Sequence, residues 1–142
     1  MARLLLDTHT LLWWLDGDSR LPARIRGLIQ DDTSEILVSA ASVWEITTKA
    51  RLGKLPGALE VAADVPGCIR SQGFTGLAIS IAHAQVAGTL PGPHRDPFDR
   101  MLIAQAQMER CPILSIDTAF DDYGVTRIWS AARRQTKTRP RS

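Results

Sequence analysis

Apolar residues fall along the chain in short continuous runs, separated by segments in which they recur every three or four positions, the pattern of strands alternating with helices. Leu4-Leu5-Leu6 is apolar at successive positions and stops at Asp7, which predicts a strand buried on both faces; Thr8–Leu15, rich in Leu and Trp, predicts the helix after it. Ser19-Arg20-Leu21-Pro22 reads as the start of another helix, and Ile25, Leu28 and Ile29 supply an i, i+3, i+4 stripe that runs out at Asp31-Asp32. A second strand is predicted over Ile36–Val38, then a helix from Ser39 to Arg51 carrying Val43, Trp44, Ile46 and Ala50 and closed by Gly53. A single helix is expected over Ala58–Arg70, a third strand at Leu77–Ile79, and a helix over Ile81–Gly88 capped by Ser80. After a loop at Pro91-Gly92-Pro93, Asp96-Pro97 opens a long helix to Glu109. Ile113–Ile116 predicts the fourth strand, ending at Asp117, and Val125–Ile128 a fifth at the sheet edge.

Strands alternating with helices throughout, several of them apolar on both faces, predict an α/β sandwich with a mainly parallel sheet. Ligands of such sheets bind beyond the carboxyl ends of the strands, and Asp7 and Asp117 stand at two such ends. With 142 residues, 44% of them hydrophobic and 6% aromatic, the chain suits one compact domain rather than two. The apolar runs fall well short of the roughly 20 residues that a membrane span needs, and Asp7 comes too early for the apolar segment of a secretory signal; the expected location is the cytoplasm, with no membrane partner. Cys68 and Cys111 lie far apart with no Cys or His at zinc spacing and read as buried thiols, and His9, His83 and His94 are unclustered along the sequence. Trp13 and Trp14, in a densely apolar helix, read as core or dimer-interface residues rather than stacking platforms. The formal charge of +2 hides an asymmetry: Arg133, Arg134, Lys137, Arg139 and Arg141 lie in the last ten residues, which hold no acid. This basic end, 133–142, reads either as a polyanion contact or as a flexible, solubilising tail on a domain spanning 1–132.

The chemistry rests on four carboxylates picked out by position: Asp7 after the first strand, Glu45 in the helix after the second, Asp99 in the first turn of the late helix and Asp117 after the fourth strand. Asp96, three residues before Asp99, shares a helix face with it. Each has an ordinary structural explanation. Asp96 before Pro97 is a good N-cap, which makes Asp99 an acid favoured by the helix dipole. Ser42-Val43-Trp44-Glu45 matches the capping-box spacing, and Glu45 with Lys49 forms an i, i+4 pair of the sort found on solvated faces. Asp7 and Asp117 suit N-caps as well. As a set they are harder to explain away, because converging carboxylates repel one another unless a cation sits among them. Oxygen donors without Cys or His companions select magnesium or manganese over zinc, and such ions assist phosphoryl chemistry.

Four stretches in order, Leu4-Leu5-Leu6-Asp7-Thr8-His9, Ser42-Val43-Trp44-Glu45-Ile46 with Lys49 and Leu52-Gly53-Lys54-Leu55, His94-Arg95-Asp96-Pro97-Phe98-Asp99-Arg100-Met101-Leu102-Ile103-Ala104-Gln105-Ala106, and Leu114-Ser115-Ile116-Asp117, resemble the PIN domain and, more narrowly, the VapC-like toxins of toxin–antitoxin pairs. The resemblance extends to about Ala132. It implies a PIN-like three-layer sandwich with a parallel five-stranded sheet, a magnesium-dependent endoribonuclease in which manganese can substitute, a homodimer, and a cognate antitoxin. Residue by residue it implies Asp7, Glu45, Asp99 and Asp117 as the acidic quartet, Asp96 as a subsidiary or alternate ligand, and Ser115 as a hydroxyl bonded to a carboxylate or water beside the site. Arg51, Lys54, Arg95 and Arg100 are candidates for phosphate contacts, against surface solubility as their ordinary role. Two other readings stand beside this one: a PIN-like RNA-binding domain without turnover, and a nuclease directed at DNA.

Overall fold

The computed structural model describes residues 2–55 and 59–130. The first strand, β1 (Arg3–Leu6), leads through α1 (Thr8–Asp16) and α2 (Ala23–Gln30) to β2 (Glu35–Ser39). Three helices follow, α3 (Ala40–Arg51), α4 (Leu59–Ala63) and α5 (Val65–Ser71), before β3 (Thr75–Leu77). The chain then crosses by α6 (Ile81–Thr89) and α7 (Pro97–Glu109) to β4 (Ile113–Leu114), a 3-10 helix (Thr118–Tyr123) and β5 (Arg127–Ile128). All pairings are parallel and the strand order is β3-β2-β1-β4-β5. Growth of the sheet therefore reverses direction at β1, and the crevice at such a reversal opens at the carboxyl ends of β1 and β4.

Register and side-chain alternation make the three layers. Leu4 and Leu6 of β1 lie beside Ile36 and Val38 of β2, and with Leu114 they pack on Leu11, Leu12, Ile25, Ile29 and Ile46 of α1, α2 and α3. Leu5, Leu37 and Ile113 point the other way, into Leu102, Ile103 and Ala106 of α7 and Phe120 of the 3-10 helix. A central parallel strand covered on both faces has no polar side, which is why β1 reads Leu-Leu-Leu. Phe120 is completely buried, and it anchors the turn that begins at Asp117. Phe120→Ala is expected to cost about 3–5 kcal/mol, read as a lower midpoint in urea unfolding with the slope unchanged; a midpoint within error of the parent would show that Phe120 is not part of the cooperative core.

Several boundaries differ from those expected. The third strand lies two residues earlier than Leu77–Ile79, because it pairs with Leu37–Ser39 and ends where β2 ends; Ile79 is left exposed. The single helix expected over Ala58–Arg70 is two among the described residues: Asp64 leaves helical geometry (φ −156°, ψ 71°), accepts from the Gly67 N–H and starts α5 with Pro66 in its first turn. β4 is shorter than Ile113–Ile116 because Ser115 turns its side chain to Asp7, and Ile116 is exposed. The fifth strand is confined to Arg127–Ile128. Gly53 closes α3 as expected: at φ +71° it follows the cap, and Gly53 and Lys54 donate N–H to the carbonyls of Ala50 and Lys49. Trp13 and Trp14 pack against the core, Trp13 with its ring 5.9 Å from that of Trp129. Cys111 is buried, Cys68 is half-buried, and both are free thiols. Among the described residues no helix is long and apolar enough to cross a membrane. The basic 133–142 segment lies outside the described residues.

Candidate metal centre

Asp7, Asp96 and Asp117 owe their positions to helix caps, Asp99 to the first turn of α7, and Glu45 to the body of α3. Asp7 follows β1 directly and caps α1: it accepts the Thr10 N–H at 2.9 Å, and its second oxygen takes the Ser115 hydroxyl at 2.5 Å. Only 5% exposed, its carboxyl is pushed above the ordinary aspartate range by burial, against the pull of the Ser115 and Thr10 hydrogen bonds. Ser115 also accepts the backbone N–H of Asp117 at 2.9 Å. One hydroxyl thus ties the end of β1 to the turn after β4, as the resemblance implies for Ser115. Asp117 caps the 3-10 helix through Ala119 N–H and is exposed.

Glu45 sits differently from its capping-box pattern. The cap of α3 is Ser39, whose hydroxyl accepts Ala41 N–H. Ser42 is already inside the helix, completely buried, and meets Thr8 Oγ1 at 3.0 Å. The Thr8 hydroxyl donates to Glu45 Oε1 at 2.6 Å, while Lys49 Nζ donates to Glu45 Oε2. Glu45 is 4% exposed, so the Glu45–Lys49 pair belongs to the interior of the rim rather than to a solvated face. Burial opposes the charge on Lys49, yet Glu45, with Asp96 and Asp99 behind it, holds its pKa above the usual lysine value. A buried carboxylate next to other acids needs such a cation or an equivalent one.

Asp96 is the expected N-cap of α7, accepting the N–H groups of Phe98 and Asp99 at 2.9 and 3.4 Å. Asp99, one turn in, is where the charges meet. Its carboxyl is pushed up to about 7, first by burial and then by the negative charges of Asp96, Glu45 and Asp7, with His94 pulling the other way. Acids separated by tens of residues therefore lie close enough to repel one another at Asp99. His94 Nε2 is 3.0 Å from Asp99 Oδ2, and single ligand atoms of His94, Asp99 and Asp117 lie within 4.8 Å of one another. That group takes in two of the four acids singled out from the sequence. Asp7 and Glu45 lie outside it, Asp7 linked to Asp117 through Ser115 and both acting on Asp99 by charge.

His94 is the residue that sequence reasoning missed. Spacing along the chain gave it no neighbour, although it opens the block that contains Asp96 and Asp99; a loop folding back on its own helix brings it to Asp99. Of the candidate phosphate contacts, Arg100 is fully engaged: its guanidinium donates to the carbonyls of Ala87, Leu90 and His94 and braces that loop. Arg51, Lys54 and Arg95 are exposed. A groove of about 370 Å³ beside Asp117, lined by Arg24, Ile116, Thr118, Arg127 and Trp129 among others, adds Arg24, an exposed cation that sequence spacing did not single out, whereas Arg127 is engaged by the Asp121 carboxylate and the Ser115 carbonyl. On another flank Trp44, 61% exposed, stands edge-on to Phe98 with ring centres 5.1 Å apart, over an apolar cleft of about 230 Å³.

The donor set fits a small divalent cation. Ligands bound at about 2.1 Å lie roughly 3 Å apart when adjacent and about 4.2 Å apart when opposite; the 3.0 Å between His94 and Asp99 matches an adjacent pair, and the 4.8 Å that encloses all three ligand atoms exceeds the opposite-pair separation by a few tenths of an ångström, within reach of a side-chain rotation. The repulsion concentrated on Asp99 is what such a charge would relieve.

Comparison with known proteins places the fold. Ribonuclease VapC16 of Mycobacterium tuberculosis is 45% identical over 58 residues, a match covering 41% of this chain and 41% of that protein. Among solved structures, FitAB bound to an IR36 DNA fragment superposes with a TM-score of 0.67 at 19% identity, covering 93% of this chain and 99% of the other. DNA-bound VapBC from Salmonella typhimurium gives 0.66 at 19% identity over 97% and 98% of the two chains. VapC20 of Mycobacterium tuberculosis, a sarcin-ricin loop cleaving toxin, gives 0.60 at 15% identity over 89% and 98%. At these identities the structural likeness is one of fold. The model of the PIN domain matches residues 4–125, from β1 through the 3-10 helix, and the chain belongs to the PIN domain family.

Proposed function

We propose that the protein is a divalent-metal-dependent endoribonuclease and the toxin of a toxin–antitoxin pair. The observation that carries this reading is the convergence of Asp7, Glu45, Asp96 and Asp99 in charge, and of His94, Asp99 and Asp117 in space, at the carboxyl ends of β1 and β4. The similarity to a ribonuclease VapC and the fold shared with VapBC complexes support the RNA substrate and the antitoxin partner.

In this mechanism Asp99 and Asp117 hold magnesium or manganese, with Asp7 and Glu45 completing the anionic wall and Asp96 fixing the first turn of α7 under Asp99. A bound ion would stabilise charge on the scissile phosphate and the leaving oxygen. The protein's own part is positioning. Ser115 holds Asp7 and the Asp117 turn in fixed relation, and Thr8 and Lys49 take the two oxygens of Glu45, so the acids are set before substrate arrives. Arg24, Arg51, Lys54 and Arg95 are the cations available to backbone phosphates. Exposed Trp44, Ile79 and Ile81 form apolar surface of the sort that a protein partner covers, in keeping with a homodimer and with antitoxin binding.

The test is cleavage by purified protein of a structured RNA and of a DNA of matching sequence, with and without EDTA. RNA cleavage lost in EDTA and restored by magnesium is expected, with the DNA intact. Binding of the RNA without cleavage under every metal condition would favour the non-catalytic reading, and cleavage of the DNA alone would favour the DNA-directed one.

A further inference from the structure

Resting on the metal-dependent reading above, we infer that His94 is a direct nitrogen ligand of the metal and that this makes the centre prefer manganese to magnesium. The sequence pattern taken by itself describes an all-oxygen site. In the folded protein His94 Nε2 lies 3.0 Å from Asp99 Oδ2, with a ligand atom of Asp117 inside the same 4.8 Å group. That separation suits a hydrogen bond with a proton between the two groups, and it would equally suit two groups that hold one cation.

The ring is delivered to that place by a braced loop. The His94 N–H donates to Tyr123 Oη at 2.9 Å, and its carbonyl accepts from Arg100 Nη1 at 3.0 Å. The other nitrogens of the same guanidinium take the carbonyls of Ala87 and Leu90, so Arg100 clamps the segment that carries the histidine. Gly92, at φ +105°, lies so close to Tyr123 that a Cβ there would fall 2.8 Å from the phenol oxygen, and only glycine lets the loop seat on that ring. Metal-ligating histidines are held in this way by the groups around them.

The consequence is selectivity. Both ions are at home among oxygens, but magnesium gains little from imidazole, whereas manganese, a first-row transition ion, binds a nitrogen donor more readily than magnesium does, so one imidazole in the set shifts the balance between these two toward manganese. A histidine that only hydrogen-bonds Asp99 would support both ions alike.

Calorimetric titration of the purified protein with MnCl2 and with MgCl2, together with pulsed EPR of the manganese-loaded protein, tests this. The parent is expected to bind manganese more tightly and to show nitrogen coupling to the ion. His94→Ala should lose manganese affinity by about tenfold or more and magnesium affinity by less than about threefold, and the coupling should vanish. His94→Asn keeps a group able to hydrogen-bond Asp99 and should recover neither the coupling nor the preference. Equal losses for both ions, or a parent spectrum without nitrogen coupling, overturns the assignment of His94 while leaving the metal centre standing, as loss of binding in Asp99→Asn would then show. A parent that binds neither ion overturns both readings.

Discussion

Asp99→Asn is expected to abolish RNA cleavage, by about a thousandfold or more, while making the metal-free protein more stable. The two effects have opposite signs for one reason. Asp99 is where burial and the charges of Asp96, Glu45 and Asp7 act together, and its side chain, 21% exposed, ionises around neutral pH only against that field. Asparagine keeps the size and removes the charge, relieving on the order of 2 kcal/mol after allowance for solvent screening, or about 5 °C in Tm for a domain of this size. A residue with only a packing role would lower stability when changed, and a surface residue would alter neither quantity. Retained cleavage in Asp99→Asn would remove the residue from the mechanism. Asp7→Asn is expected to lose cleavage to the same extent without the gain in stability, because asparagine is a competent N-cap but meets Ser115 with an altered hydrogen bond.

The metal-free protein is expected to lose stability as pH rises from about 4 to about 7.5, and millimolar manganese or magnesium to restore it at the upper end. The folded-state pKa of Asp99, about 7, lies above the ordinary aspartate value of 3.8. The folded state therefore binds the proton more tightly than the unfolded chain, and this contribution is fully present below the unfolded value and is lost as pH rises through about 7. Asp7, also raised, acts in the same direction. Asp18, lowered to about 2 by its hydrogen bonds from Arg20, loses its contribution only in strong acid, well outside this window. A bound cation replaces the proton, so ligand-dependent stabilisation should be larger at pH 7.5 than at pH 5 and reach about 2.7 kcal/mol at a hundredfold excess over Kd. Thermal melts at the two pH values, with and without metal, measure it. A metal-dependent shift no larger at pH 7.5 than at pH 5 would mean that the acids do not share the ion.

The same residues separate what was legible along the chain from what was not. Leu4-Leu5-Leu6 marks a central strand because burial on both faces leaves no room for alternation, and Asp96-Pro97 marks a helix start because its requirements are local. The fold class and the positions of Asp7, Asp99 and Asp117 at element ends follow from signals of this sort, spanning a few residues each. Glu45 shows where such signals fail. Its capping-box spacing and its partner at i+4 describe a solvated helix start, yet Ser39 caps the helix and Thr8, 37 residues earlier, holds Glu45 in the interior. Arg100 is similar: nothing in its neighbours distinguishes a phosphate ligand from a clamp on three loop carbonyls.

By itself, then, the sequence determined the alternation of strands and helices, the identity of the acids and their places at element ends, since hydrophobic period and capping chemistry act over a turn or a strand. Tertiary structure alone decided which of those acids share a space, that Ser115 joins β1 to the Asp117 turn across 108 residues, and that His94 stands against Asp99. Coulomb repulsion and metal coordination depend on distances of a few ångströms between side chains, and those distances are fixed by the strand order and by a loop folded back on its helix.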